Sequence, residues 1–145
     1  MTYRHTQIGS VIIAAIALAI ILLLMSFGMK GPIQTIPVAV VLILGLALVV
    51  FHSQPVEIKD SRLECRLGPG IIKKTFALAE INDARKVRIP WYSGWGIRWI
   101  PGQYLLWRVS GFQAVELVLN DGSRFRIGTN EPDTLIRAIY LHKTE

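Results

Sequence analysis

Two runs without a single charge constrain this chain more than any other feature. Ile8 to Phe27 is twenty residues long and Ile33 to Phe51 is nineteen. A bilayer core of about 30 Å takes roughly 20 helical residues, so each run reads as a spanning helix. The join, GMKGP, holds two glycines and a proline in five residues, which permits only a tight helical hairpin. Pro37 falls in the first turn or so of the second run, where a missing amide hydrogen costs least. A cleaved leader fits poorly. The first apolar region exceeds the roughly 7 to 15 residues of a signal peptide, and no A-x-A-like site follows it.

The charges divide along the same line. Residues 1–51 contain Arg4 and Lys30 and no acid, whereas the rest of the chain carries the other fourteen Lys and Arg against ten Asp and Glu. Of the net +6, the second part therefore holds +4. Basic residues near helix ends orient membrane segments. Arg4 before the first helix, and Lys59, Arg62 and Arg66 after the second, predict both termini on the cytoplasmic side of an inner (plasma) membrane. The runs contain no Asp, Glu, Lys or Arg that could form a proton relay or ion path, so the hairpin reads as an anchor. The predicted organisation is a transmembrane hairpin over residues 1–53, with helices about 8–27 and 33–51, and a mildly basic β-domain over 54–145.

From Gln54 the apolar period changes to two. VEIKDSRLECRL alternates Val56 and Ile58, then Leu63, Cys65 and Leu67, around the polar turn KDSR, and the faces match when Ile58 opposes Leu63. GPG at 68–70 breaks the chain. IIKKTFAL and ARKVRI follow as strands, separated by the helical turn AEIND. In AVELVLNDGSRFRIG a two-residue Asp-Gly loop would mix the faces. A three-residue loop, Asn120-Asp121-Gly122, opposes Leu117 to Phe125 and Val115 to Ile127, and sets Glu116 beside Arg126. A helix over about 131–143 closes the chain, capped by Asn130 or Glu131, with Pro132 in its first turn and a stripe of Leu135, Ile136, Ile139 and Tyr140.

About seven antiparallel strands and a terminal helix behind a two-helix hairpin resemble the bacterial pleckstrin-homology-like domains of membrane proteins. The echoes are FALAEINDARKV, with Ile81 as its buried isoleucine, GWGIRW, and RIGTNEPDTLIRAI, spanning roughly residues 54–143. The resemblance implies an α+β fold: the transmembrane hairpin, then a PH-like antiparallel β-barrel or sandwich of about seven strands with a C-terminal helix. It also implies a membrane-proximal role. Eukaryotic relatives often bind phosphoinositides through the first hairpin loop; here that loop offers Lys59 and Arg62 together with Asp60.

No catalytic motif stands out: G-x-S-x-G, H-E-x-x-H and C-x-x-C are all missing, and GWGIRW lacks the third glycine of a dinucleotide loop. The lone Cys65 sits in an apolar alternation and reads as a small buried hydrophobe; His5, His52 and His142 have no ligand spacing. No enzyme, metal or cofactor is expected. The stretch WYSGWGIRWIPGQYLLWRVSG, residues 91–111, holds all four tryptophans. Three roles compete for its indoles: barrel core, return to the bilayer at headgroup level, or a protein-contact patch. The candidate membrane or partner contacts are Trp91, Tyr92, Trp95, Arg98, Trp99 and Arg108. Candidate contacts for anionic lipid are Lys73, Lys74, Arg85, Lys86, Arg88, Arg124 and Arg126, unless these simply solvate the outer face of a sheet. Nucleic acid is not expected as a partner. The expected function is a non-catalytic, membrane-anchored interaction module binding a protein partner, anionic lipid, or both. The alternative is an accessory or scaffold subunit assembled through the hairpin.

Overall fold

The computed structural model describes residues 2–27, 35–109 and 111–144. Strand β1 (Tyr3–Ile8) leads into helix α1 (Ser10–Ser26); helix α2 (Thr35–Phe51) leads back into β2 (Ser53–Lys59). β3 (Arg62–Leu67) and β4 (Ile72–Ala77) complete a four-stranded sheet in the order β1-β2-β3-β4. A 3-10 turn, Leu78–Glu80, passes the chain to a second sheet of β5 (Ile81–Arg88), β6 (Gly96–Ile100), β7 (Tyr104–Arg108), β8 (Gln113–Leu119) and β9 (Arg124–Gly128), ordered β5-β8-β9-β7-β6. Helix α3 (Pro132–Lys143) ends the chain.

The transmembrane hairpin is the first correction. Ile8 belongs to β1, opposite Ser53, and Gly9 turns the chain, so the charge-free run is divided before its helix starts. The second helix gives way to β2 with only His52 between them. Each helix has 17 residues, about 26 Å at about 1.5 Å per residue. Among the described residues, no helix is long and apolar enough to cross a membrane. The two-span topology, the inner-membrane placement and the cytoplasmic termini argued from it fall together. The GMKGP join lies outside the described residues.

What the sequence hides is that the helix pair grows from a β-ladder. β1 and β2 pair antiparallel from Tyr3↔Ile58 to Ile8↔Ser53, and α1 and α2 rise from their adjacent ends and pack on each other. Glycines make the junction close. A Cβ at Gly9 would stand 2.8 Å from the Phe51 carbonyl oxygen, and one at Gly68 would strike the Val49 and Val50 carbonyls.

The barrel is the second correction. The chain leaves the first sheet at the 3-10 turn, and β5 then pairs with β8 instead of continuing from β4, so two open sheets face each other without closure. Nor is the pairing antiparallel throughout: β7 runs parallel to β9, from Leu105↔Phe125 to Trp107↔Ile127. Within the sheets the alternation holds. Ile58 faces Leu63 around Asp60 and Ser61, both at positive φ, and Leu117 faces Phe125 around Asn120–Gly122. The core between the sheets joins Ile58, Leu63, Cys65 and Leu67 to Leu117, Phe125 and Ile127. Leu135, Ala138 and Ile139 of α3 close it, and Tyr140 donates to Asp83 at 2.8 Å.

Candidate functional site

The tryptophan stretch divides between inside and outside. Trp107, on β7 between the buried Leu106 and Arg108, turns inward and meets Phe125 edge-on at 5.5 Å between ring centroids; it is 4% exposed. The other three indoles are not core. Trp91 (78% exposed) and Tyr92 lie on a 3-10 turn, Trp91–Ser93, and Trp95 and Trp99 are also exposed. The reason is topological. β6 is the last strand of its sheet, so Ile97 and Trp99, paired with Trp107 and Leu105, share the inward face yet overhang its edge.

This overhang is continuous with the helix pair. A groove of about 300 Å³ is lined by Ile12 and Phe51, at the base of the helices, and by Trp95, Gly96 and Ile97. Glycine suits position 96 because its φ is +91°; a Cβ there would only touch the Phe51 ring, at 3.5 Å. Beyond it, a second groove of about 530 Å³ runs past Trp99 and Ile100 to Phe76 and Lys74 at the open edge of β4. Above the base, the helices expose Leu18, Ile21, Leu22 and Met25 of α1 and Leu42, Ile43 and Leu46 of α2. A helix apolar all round is normally buried, and scattered single residues do not account for a surface like this one.

Acids are missing from the chain segments that build this face. From Ala84 to Val115 the chain carries Arg85, Lys86, Arg88, Arg98 and Arg108 and no acid, and residues 1–56 carry none either. Every tryptophan lies inside the first of these segments. Arg98 is exposed and donates to the Ser93 carbonyl at 3.1 Å, which fixes it beside the 3-10 turn.

Arg108 is different from the contact residue expected of it. It is 0% exposed and has no carboxylate partner among the described residues. Its guanidinium lies between two rings, 4.8 Å from the centroids of both Trp95 and Phe112. Nε donates to the Gly111 carbonyl at 2.6 Å and Nη1 to the Gly94 carbonyl at 3.1 Å. Burial pulls its pKa below the ordinary arginine value.

The seven candidate lipid-contact cations are spread over several surfaces. Arg85 and Arg126 both bind the buried Glu116, at 3.0 and 2.7 Å, on the outer face of the second sheet. Burial alone would raise the Glu116 carboxyl, but hydrogen bonds and charge from Arg126 and Arg85 outweigh it and hold the group below the usual carboxylate range. Arg126 also stacks on Tyr104, and Lys86 pairs with Asp133 of α3. Lys74 sits over Phe76 and Phe125, and Arg124 lines the same edge groove. Lys73 lies across the first sheet on its charged outer face, where Arg66 pairs with Glu57 and Glu64. Arg88 borders the start of the aromatic stretch, in a groove of about 500 Å³ with Ile89, Pro90, Trp91 and Phe112.

Sequence reasoning missed Phe112, Ile12 and Phe51 as parts of this face. For Phe112 a signal existed: it follows a glycine and stands off the Val115, Leu117, Leu119 alternation. For the helix residues there was none, because the contact joins positions far apart in the chain. Among the described residues, no cluster of His, Cys, Asp and Glu could hold a metal ion. No protein-family model matches the chain, and no curated protein matches it.

Proposed function

We propose that this protein is a non-catalytic interaction module that binds an anionic lipid surface through one face, made of the apolar helix pair, the exposed indoles and Arg98. The observation that carries the reading is the coincidence of three properties on that face: apolar helix surface, indoles at its base, and chain segments without any acid. Each has a physical role. Apolar side chains gain by leaving water. Indoles settle where an apolar region meets polar headgroups. Cations near the surface add about 1 kcal/mol each, weakened by salt. Contact of this kind is made from one side and requires no span.

Flotation of the full chain tests it, with phosphatidylcholine vesicles and with vesicles containing phosphatidylglycerol, at low and high salt. The chain should float with both, and more strongly with the anionic vesicles at low salt. Arg98→Ala should lower the anionic partition about fivefold, the equivalent of about 1 kcal/mol, and leave neutral binding unchanged. Trp95→Ala should weaken both. A chain that stays behind under every condition, while folded, would overturn the lipid-surface reading.

A further inference from the structure

The geometry points to an oxyanion site at Arg108, beneath Trp95 and Phe112, that takes the phosphate group of an amphiphilic phosphoester such as a lipid headgroup. This rests on the lipid-surface reading and names the chemistry recognised there. Arg108 lies on the outer face of the second sheet in a row of small residues. Gly96 opposes it on β6, Ala114 and Gly128 continue the row, and a Cβ at Gly128 would stand 3.1 Å from the Arg108 Cα. The guanidinium itself sits in a recess made by the Gly94 and Gly111 carbonyls and the Trp95 and Phe112 rings.

Three observations indicate that the recess is a binding site. Nη2 is buried and has no hydrogen-bond partner among the described residues, although the same guanidinium satisfies its other contacts with backbone carbonyls. A charge buried without a counter-ion is costly, and two ring faces and two carbonyls offset only part of that cost. Both covering rings stand beside glycines at positive φ, Gly94 and Gly96 around Trp95 and Gly111 before Phe112, and both rings are partly exposed. Finally, Phe112 is at once the cover of Arg108 and a wall of the apolar groove formed with Arg88, Ile89, Pro90 and Trp91. Displacing Phe112 joins the two. A phosphate oxygen then meets Nη2, Arg88 supplies a second cation at the rim, and the ligand's apolar part lies on Ile89, Pro90 and Trp91. Guanidinium suits this task because its planar set of donors matches phosphate oxygens.

The full chain in zwitterionic detergent micelles would be titrated with inorganic phosphate and, separately, with a short-chain phosphatidic acid. The readouts are the arginine side-chain Nε resonances and tryptophan fluorescence. A saturable shift of the Arg108 resonance is expected, with a fluorescence change that disappears in Trp95→Phe. Arg108→Gln should weaken the response at least tenfold, and Lys73→Gln, on the opposite sheet, should leave it unchanged. Phe112→Ala removes the cover and should strengthen phosphate binding severalfold, which keeps the test open should Arg108→Gln fold poorly. A response to both ligands, or to inorganic phosphate alone, would mean that the phosphate group itself suffices. A response to the short-chain lipid alone would mean that the headgroup with its apolar neighbour is needed. No response from wild type or Phe112→Ala, or equal losses in Arg108→Gln and Lys73→Gln, would overturn the site. Vesicle flotation is read separately: a chain that floats without a phosphate response loses only the site, whereas one that responds to phosphate without floating loses the lipid-surface reading.

Discussion

Glu116 shows what a single buried carboxylate contributes. Its two oxygens take Arg85 and Arg126, and the pair of cations holds its pKa down. A depressed carboxylate pKa adds stability that is fully present above the unfolded value, near 4.5, and is lost as pH falls through the lower folded value. Acid titration of denaturant midpoints should therefore show stability falling below about pH 4.5 in wild type, and Glu116→Gln should flatten that limb. At neutral pH the same substitution should cost about 2 kcal/mol, as expected for hydrogen bonds to charged groups. Gly68 is constrained by conformation instead: φ is +56° and a Cβ would meet two carbonyls of α2. Gly68→Ala should cost about 2 kcal/mol, and Gly122→Ala less, because Gly122 has positive φ but open space around it. Denaturation midpoints of the two variants would settle the order. Cys65 is buried in the core, and burial pushes its thiol up to about 12, against the lowering effect of the Gln54 hydrogen bond. Alkylation at neutral pH should be slow in the native protein and quicken with denaturant as the core opens; rapid native labelling would contradict that burial.

At the scale of elements, the legible parts of the chain were those whose partners lie close in sequence. The registers Ile58↔Leu63 and Leu117↔Phe125 follow from period-two alternation and turn chemistry, and α3 follows from its stripe and first-turn proline. β1 was not legible. YRHTQI lacks strong alternation, and its pairing partner is β2, some fifty residues away across the helix pair. The same pairing takes Ile8 out of the apolar run and shortens the helix, so a hydropathy count overestimates α1. The parallel β7–β9 contact was equally hidden, since nothing local distinguishes a parallel partner. Among the site residues, Trp107 and Trp99 have similar neighbours in sequence, and only the position of their strands separates core from overhang. Collisional quenching by acrylamide should accordingly reach Trp91, Trp95 and Trp99 and spare Trp107. In the Trp107→Phe variant, the poorly quenched component of the emission should vanish.

Across the whole molecule, charge and apolarity are segregated. The acids lie on the first sheet and its β2–β3 turn, in the Leu78–Glu80 turn, on β5 and β8 as Asp83 and Glu116, in the β8–β9 turn and at the start of α3, while the helix pair, β6 and the Trp91–Ser93 turn hold none. The proposed lipid contact rests on that asymmetry, since an apolar end without acids suits an apolar, negatively charged surface. The central claim is that this end, with its indoles at the boundary, is the part that meets lipid. Quenching by lipids brominated at different acyl depths tests it most directly, using the full chain on phosphatidylglycerol-containing vesicles. The account predicts the strongest quenching from the shallowest bromines, reduced in Trp95→Phe and Trp99→Phe and unchanged in Trp107→Phe. Absence of quenching at every depth, or quenching unaffected by replacing Trp95 and Trp99, would contradict it.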